Sequence, residues 1–237
     1  MKSIIILPTY NEKKNIEILI PRLQSFFKQV KKHKFSILVV DDNSPDGTAN
    51  VVKKYKKKYN NLFLIEGEKK GLGNAYLRAF RYVLKHYKFN AIIMMDADLS
   101  HDYKQIPEFL GYIEQGYDYV LASRYVKHGY VGFNLFRKII SKGGNYVARI
   151  ITGININDIT SGYKAITVNL LKKLVTDKLY SKGYAFQLSL LNSAIKNKAK
   201  IIEIPTTFPD RKYGHSKLSY KDIPEFVKEC LRIRLKK

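Results

Sequence analysis

Two carboxylates one residue apart, Asp96 and Asp98, follow directly on the apolar run 91–95. Where a strand gives way to a loop, such a pair can turn toward one site. Carboxylates suit Mg2+ or Mn2+, and a nucleoside diphosphate would supply the remaining oxygens. The alternative is helix capping before Tyr103, which Asp102 can provide by itself. Two further polar clusters end apolar runs, Thr9-Tyr10-Asn11-Glu12 and Asp41-Asp42-Asn43-Ser44-Pro45-Asp46. Asp42 and Asp46 can accept from a ribose or base, or bond their own turn. Buried strands that end in unpaired carboxylates are costly unless solvent, a partner or a metal meets the charge. Gly71 and Gly73 would let a helix start approach a ligand closely. The full dinucleotide fingerprint is absent, since neither a third glycine nor a P-loop Lys-Ser/Thr follows. Lys69 and Lys70 face either phosphate or solvent.

The elements that must hold these groups follow from patterning. Apolar runs predict buried strands over residues 3–7, 36–40, 62–65, 91–95, 119–122 and 201–204. Pro8 is expected to end the first. Helices are expected over 15–31, with Pro21 as a kink, from Thr48 as cap onward, over 71–86 and over 103–114. The second half predicts helices over 133–151, bent at Gly143-Gly144, and over 169–175, 186–196 and 220–235, with a polar turn at 158–162 and a basic loop at 211–217. Strand, loop and helix alternate, and the strands are continuously apolar. That is the pattern of a mostly parallel α/β sheet flanked by helices. In open α/β sheets chemistry gathers beyond the carboxyl ends of the strands, where all three acidic clusters fall. Residues 1–125 read as the regular α/β core and 126–237 as a smaller elaboration of one catalytic domain.

Composition narrows the partners. The 237 residues carry 43 Lys and Arg against 20 Asp and Glu, a net charge of +23, with 45% hydrophobic residues. The apolar fraction excludes a largely disordered chain. The single cysteine, Cys230, excludes an internal disulfide and a cysteine metal cluster. No run reaches the roughly 18–20 apolar residues of a membrane span, and Pro8 and Asn11-Glu12 interrupt the first apolar run too early for a signal core. The charge favours a polyanionic partner or reflects a lysine-rich surface. A nucleic-acid-binding module has the charge but no recognition motif, and acids in the cleft would repel a phosphate backbone, so no nucleic acid is expected.

Taken in order, these motifs resemble the inverting glycosyltransferases of family two, and within them the polyprenyl-phosphate branch that includes the dolichol-phosphate mannosyltransferases. The resemblance rests on Pro8-Thr9-Tyr10-Asn11-Glu12, residues 41–48, Gly71-Leu72-Gly73-Asn74-Ala75-Tyr76 and Met95-Asp96-Ala97-Asp98-Leu99-Ser100-His101. It continues in Ala122-Ser123-Arg124-Tyr125, Thr160-Ser161-Gly162-Tyr163-Lys164, Gly183-Tyr184-Ala185-Phe186-Gln187 and residues 211–218. Two departures stand out. Ser189 replaces the acidic residue usual two places after the Gln, and His101-Asp102-Tyr103 replaces the usual His-Pro pattern.

The resemblance implies a GT-A fold and a role for each matched residue. Pro8, Tyr10, Glu12, Asp42 and Asp46 would bind the nucleotide. Asp96 and Asp98 would hold Mg2+ or Mn2+ against the donor diphosphate. Arg124, Arg137, Arg211 and Lys217 would meet donor or acceptor phosphates, with Arg124 and Arg211 offering forked donors. Asp158 would lie on the acceptor side. The implied reaction moves mannose from GDP-mannose to dolichyl or another polyprenyl phosphate, with inversion; the alternative is transfer of glucose or another hexose from a nucleoside diphosphate sugar to a polyprenyl phosphate or a glycan acceptor. A phosphate acceptor is already anionic near neutral pH, so a strong general base is less necessary than for a hydroxyl acceptor. The expected setting is the cytoplasmic face of a membrane, held peripherally by the cationic, amphipathic C-terminal helix or by a small integral-membrane subunit.

Overall fold

The computed structural model describes residues 1–86, 88–132, 135–176, 183, 185–209 and 222–236, with backbone only at 135–140, 176 and 222. Its central sheet has seven strands, β1 (Lys2–Thr9), β2 (Lys34–Asp41), β3 (Leu62–Glu66), β4 (Ala91–Met94), β5 (Tyr119–Ser123), β7 (Lys164–Thr167) and β8 (Ile201–Pro205). They lie in the order β3-β2-β1-β4-β7-β5-β8. All neighbours are parallel except β7, which runs antiparallel to both β4 and β5. The short strands β6 (Tyr130–Val131) and β9 (Thr207–Phe208) pair separately.

Alternation along the strands sends side chains to two apolar layers. Ile4, Ile6, Leu38, Val40, Ile92 and Met94 pack on one face with residues of α3 (Leu72–His86), α6 (Val168–Thr176), α7 (Phe186–Lys196) and α8 (Asp222–Leu235). Ile5, Leu7, Ile37, Val39, Ala91 and Ile93 pack on the other with α1 (Lys13–Gln29) and α4 (Ile106–Glu114). Val52 of α2 (Thr48–Lys56) joins the second layer. The remaining helix, α5 (Leu135–Thr152), packs against α8.

Two local expectations need correction. Pro8 does not end β1, which continues to Thr9 beside Asp41. Ile6 accepts from Met95 N–H while Thr9 accepts from Asp42 N–H, so Pro8 shares Ile6's side of the strand. On that side β4 pairing has already stopped at Met94, and the missing proline N–H leaves no ladder bond unmade. Thr48 is not the cap of α2. Gly47, at φ +86°, takes that place, as a residue without Cβ readily does. The long helix expected across Gly143-Gly144 is α5, one element of 18 residues.

The order of strands puts β1 next to β4, the place where the winding of the sheet changes direction. Thr9 and Asp41 therefore end side by side, β4 ends at Met94 beside Ile6, and the loops leaving the three strands open into one crevice. Gly71, at φ +93°, turns the chain into α3 at the same end.

Candidate active site

The first two acidic loops are tied to each other. Asp41 is fully buried and accepts from Thr9 Oγ1 at 2.8 Å, Ser44 N–H at 2.8 Å and Ser44 Oγ at 2.6 Å. Glu12 N–H donates to Thr48 Oγ1 at 3.0 Å, and Asn11 N–H to Ser44 Oγ at 3.0 Å. Asp46 accepts from Lys13 N–H at 3.0 Å, Thr48 N–H at 2.9 Å and Thr48 Oγ1 at 2.6 Å. Burial would raise the Asp46 carboxyl, but these bonds prevail and hold its pKa below the ordinary value. Both oxygens of Asp46 are thus engaged in joining loops. Glu12 accepts from Asn15 Nδ2 at 2.6 Å.

Asp42 is turned differently. Its carboxylate meets Arg78 Nη2 at 2.6 Å, and burial raises its pKa despite that cation. Lys69 acts electrostatically on Asp42 and places its Nζ 3.6 Å from the centre of the Tyr10 ring. Tyr10, Asp42, Lys69 and Arg78 thus form one aromatic and polar corner, suited to a flat ring with hydrogen-bonding edges. Sequence reasoning missed Arg78. Its signal lies in α3, two residues beyond Tyr76. Lys70 is paired with Glu68 at 2.7 Å.

The Asp96-Ala97-Asp98 turn forms the next wall. Asp98 is buried, and its Oδ1 accepts from Ser100 N–H at 3.1 Å and from the Ser100 hydroxyl. The Asp96 side chain is 33% exposed. Asp96 N–H donates to His101 Nδ1 at 3.1 Å, so a neutral His101 carries its proton on Nε2. The imidazole stacks on Tyr163 at 4.6 Å and thereby holds the backbone of Asp96. Asp102 accepts from Lys104 N–H at 3.0 Å and caps the short helical turn at Tyr103–Gln105.

A pair of carboxylates, one partly open and one pinned, fits a divalent ion that takes its other ligands from substrate and water. Among the described residues no cluster of three or more His, Cys, Asp or Glu offers a closed cage. Asp96 and Asp98 also raise the pKa of the Tyr76 phenol, after burial, the largest cause. That phenol is fully buried and, among the described residues, its hydroxyl has no hydrogen-bond partner.

The far wall is built around β7. Arg124 Nε donates to Asp158 Oδ2 at 2.7 Å and Nη2 to Asp158 Oδ1 at 2.7 Å. Arg124 N–H adds a bond to Asp158 Oδ2 at 2.9 Å, and Nη2 another to Thr160 Oγ1 at 2.9 Å. The arginine fork expected to meet phosphate is therefore occupied by Asp158, and Nη1 is the nitrogen left for a ligand among the described contacts. Burial would lower the Arg124 pKa, but Asp158 outweighs it and the net shift is upward. Asp158 is fully buried behind the arginine, and its own N–H donates to Glu203 Oε1 at 3.0 Å.

Lys164, on β7, is fully buried and donates to Gln187 Oε1 at 2.8 Å. Burial pushes its pKa down to about 7, against the pull of Asp158 and Asp96. A Cβ on Gly162 would lie 3.6 Å from Asp96 Oδ2 and 3.7 Å from Gln187 Nε2. The lysine, the glutamine amide and Asp96 thus share one wall. Ser189 is buried on the same helix as Gln187.

Arg137 lies on α5, one helical turn before Ser141, and its side chain is outside the described residues. Arg211 and Lys217 also lie outside the described residues. Of the residues singled out in the sequence, the structure brings Pro8, Tyr10, Glu12, Asp42 and Asp46 to one side of the crevice. Asp96 and Asp98 stand at its middle, and Arg124 on the other side.

A parallel sheet with one reversed strand, acidic loops at its carboxyl mouth and an Asp-X-Asp turn defines a GT-A glycosyltransferase fold. Solved structures agree at the level of fold. Glucosyl-3-phosphoglycerate synthase of Mycobacterium tuberculosis with UDP superposes with a TM-score of 0.70 at 15% identity, over 98% of this chain and 80% of its own. A mannosyltransferase of Pyrobaculum calidifontis in complex with GDP-Man and Mn2+ gives 0.62 at 16% identity, over 99% and 64%. The chain belongs to glycosyl transferase family 2, whose model matches residues 4–175. It is 36% identical to the polyprenol monophosphomannose synthase of Mycolicibacterium smegmatis, over 94% of this chain and 83% of that one. It is 34% identical to the undecaprenyl-phosphate mannosyltransferase of Micrococcus luteus, over 98% and 93%.

Proposed function

We infer that this glycosyltransferase moves mannose from GDP-mannose to dolichyl or another polyprenyl phosphate with inversion, at the cytoplasmic face of a membrane. The observation that carries the reading is a crevice with Asp96 and Asp98 at its centre, a ring-binding corner on one side and a buried arginine on the other. The names of the two relatives support mannose and a lipid phosphate. In this reading the nucleobase lies against Tyr10, with Asp42 accepting from its edge and Arg78 fixing that carboxylate. Pro8 and Glu12 shape the same subsite, and Asp46 holds its two loops together.

Asp96 and Asp98 would hold Mg2+ or Mn2+, which would offset the charge of the departing diphosphate. Ser100 fixes the carboxylate of Asp98, and His101 fixes the backbone of Asp96, before substrate arrives. Arg124 presents Nη1 to the acceptor phosphate, with Arg137, Arg211 and Lys217 adding charge to that side. A phosphate oxygen attacks the anomeric carbon as the bond to the diphosphate breaks on the opposite face. No proton need leave the nucleophile, so no side chain is assigned as general base. A small integral-membrane subunit is a further candidate for holding the enzyme near its lipid.

The test is a panel of labelled GDP-mannose, UDP-glucose and GDP-glucose with dolichyl and undecaprenyl phosphate in detergent. A lipid-linked, β-configured mannosyl product from GDP-mannose alone is expected. Transfer from UDP-glucose in preference would overturn the donor, and transfer only to a sugar hydroxyl would overturn the acceptor.

A further inference from the structure

Gly162 leaves a place between two groups of opposite hydrogen-bonding sense. The heavy atoms nearest to a Cβ at this residue, its chain neighbours aside, are Asp96 Oδ2 at 3.6 Å, Asp96 Oδ1 at 3.7 Å and Gln187 Nε2 at 3.7 Å. All three are polar. The walls of this place are held from behind. The Tyr163 ring, next in the chain, stacks on His101 at 4.6 Å, and His101 Nδ1 receives Asp96 N–H. Ser161 Oγ receives Tyr163 N–H at 3.3 Å and firms the same turn. On the other side Phe186 stacks on Tyr76 at 5.9 Å and sets the first turn of α7.

Lys164 decides which end of the Gln187 amide faces this place. It donates to Oε1 at 2.8 Å, so Nε2, the donor end, is turned to Gly162. Among the described residues no acceptor meets Nε2, and its N–H groups are left to solvent or a ligand. An anion entering there would meet the Asp96 carboxylate, and a cation would meet the N–H end of the amide. A group that accepts on one side and donates on the other suits both, and a hydroxyl does so with one oxygen. In a nucleotide sugar the hydroxyls belong to the ribose and the hexose. The place lies beside β7, whereas the corner at Tyr10 and Asp42 that would take the nucleoside follows β1 and β2 on the other side of β4. The hexose is therefore the part of the donor that meets it.

We propose that Gln187 reads one hydroxyl of the donor hexose in the space that Gly162 leaves, with Asp96 accepting from the same hydroxyl. The assignment deepens the sugar-transfer reading of the site and rests on it. Gly162 supplies the room. Lys164 is a positioning residue, since it acts through the amide and does not touch the sugar. Both oxygens of Asp96 face the place, so one serves the hydroxyl while the other remains for an ion. A donor that lacks this hydroxyl leaves Nε2 and the carboxylate unmet, and a site built to bond a hydroxyl rejects such an analogue strongly.

The test is calorimetric binding of GDP, GDP-mannose and the 2-, 3-, 4- and 6-deoxy forms of GDP-mannose, with Mn2+ and without acceptor, in wild type and Gly162→Ala. The added methyl would lie at ordinary contact distance, so the variant is expected to fold, with its thermal midpoint as the check. GDP is expected to bind both proteins alike. Gly162→Ala is expected to bind GDP-mannose at least about tenfold more weakly than wild type does, a loss of about 1.4 kcal/mol. For one of the four deoxy donors, the loss seen in wild type is expected to vanish in Gly162→Ala, because the methyl takes the place of the missing oxygen. Gln187→Glu keeps an acceptor for Lys164 and takes away the N–H, and should abolish the same loss without added bulk. Unchanged GDP-mannose binding by Gly162→Ala would overturn the assignment. So would deoxy losses that all persist in both variants. Binding is read without acceptor, so the two readings fail separately. The binding pattern without any lipid-linked product would remove the transfer reading, and lipid-linked product without the pattern would remove the hydroxyl assignment.

Discussion

The loops after β1 and β2 are joined by hydrogen bonds between backbone N–H groups and short side chains, as Asp46 to Lys13 and Thr48 to Glu12 show. The wall around β7 is held by buried polar groups, with Arg124 clamped on a fully buried Asp158 and Lys164 bonded to Gln187. On the first side the group proposed to meet the nucleotide, Asp42, is paired with the 28%-exposed Arg78 and can change without emptying the core. On the second side the residue proposed to meet the acceptor phosphate, Arg124, is also part of the support. Substitutions there act on stability and catalysis together, whereas on the nucleotide side the two effects separate.

The largest expected effect falls where the two sides meet. Asp98→Ala removes one of two carboxylates that would hold the ion, and turnover in the lipid-product assay should drop by at least about a hundredfold. Its thermal midpoint should stay near that of wild type. Activity within a few-fold of wild type would remove Asp98 from the site.

Next comes the buried pair. Asp158→Ala leaves the Arg124 guanidinium without its carboxylate and should cost about 3–5 kcal/mol in urea denaturation. The double variant with Arg124→Ala should be less destabilised than the two single losses added together. Strict additivity would mean the pair is not the support described here.

Lys164 gives a smaller, pH-dependent effect. Burial lowers its pKa to about 7 in the fold, whereas the unfolded chain keeps an ordinary lysine, near 10.5. Between those values the unfolded state binds the extra proton, so this group makes stability rise with pH. The stability of wild type relative to Lys164→Met should therefore improve as pH rises from about 7 toward 10. A flat difference would mean that the amine is charged in the fold.

The smallest effect is expected on the nucleotide side. Asp46→Ala removes acceptors for Lys13 and Thr48 and should cost about 1 kcal/mol. It should raise the apparent KM for the nucleotide sugar more than that for the lipid. A change confined to the lipid would contradict the loop-joining role.

Legibility in the sequence follows the same division. Acidic loops directly after apolar strands announce the nucleotide side, because strand, turn residue and carboxylate are neighbours in the chain. Strand β7 was not anticipated. It is four residues long, begins with a lysine and is antiparallel, and its pairing with β4 and β5 is decided by distant segments. A lysine usually marks an exposed position, and only the pairing of Lys164 with Gln187, 23 residues on, permits its burial. The engagement of the Arg124 fork was hidden for the same reason. The family resemblance puts Asp158 on the acceptor side, but the chain gives no sign that it lies behind the arginine.

Steady-state transfer from GDP-mannose to a polyprenyl phosphate, with each substrate varied in turn, tests this division most directly in Asp42→Asn and Arg124→Lys. Asp42→Asn is predicted to raise the donor KM about tenfold, a change of about 1.4 kcal/mol, with the acceptor KM unchanged. Arg124→Lys is predicted to do the reverse and to lower the thermal midpoint as well, because a lysine cannot replace the two-pronged contact with Asp158. If both variants moved the two constants alike, a crevice divided between donor and acceptor would be contradicted.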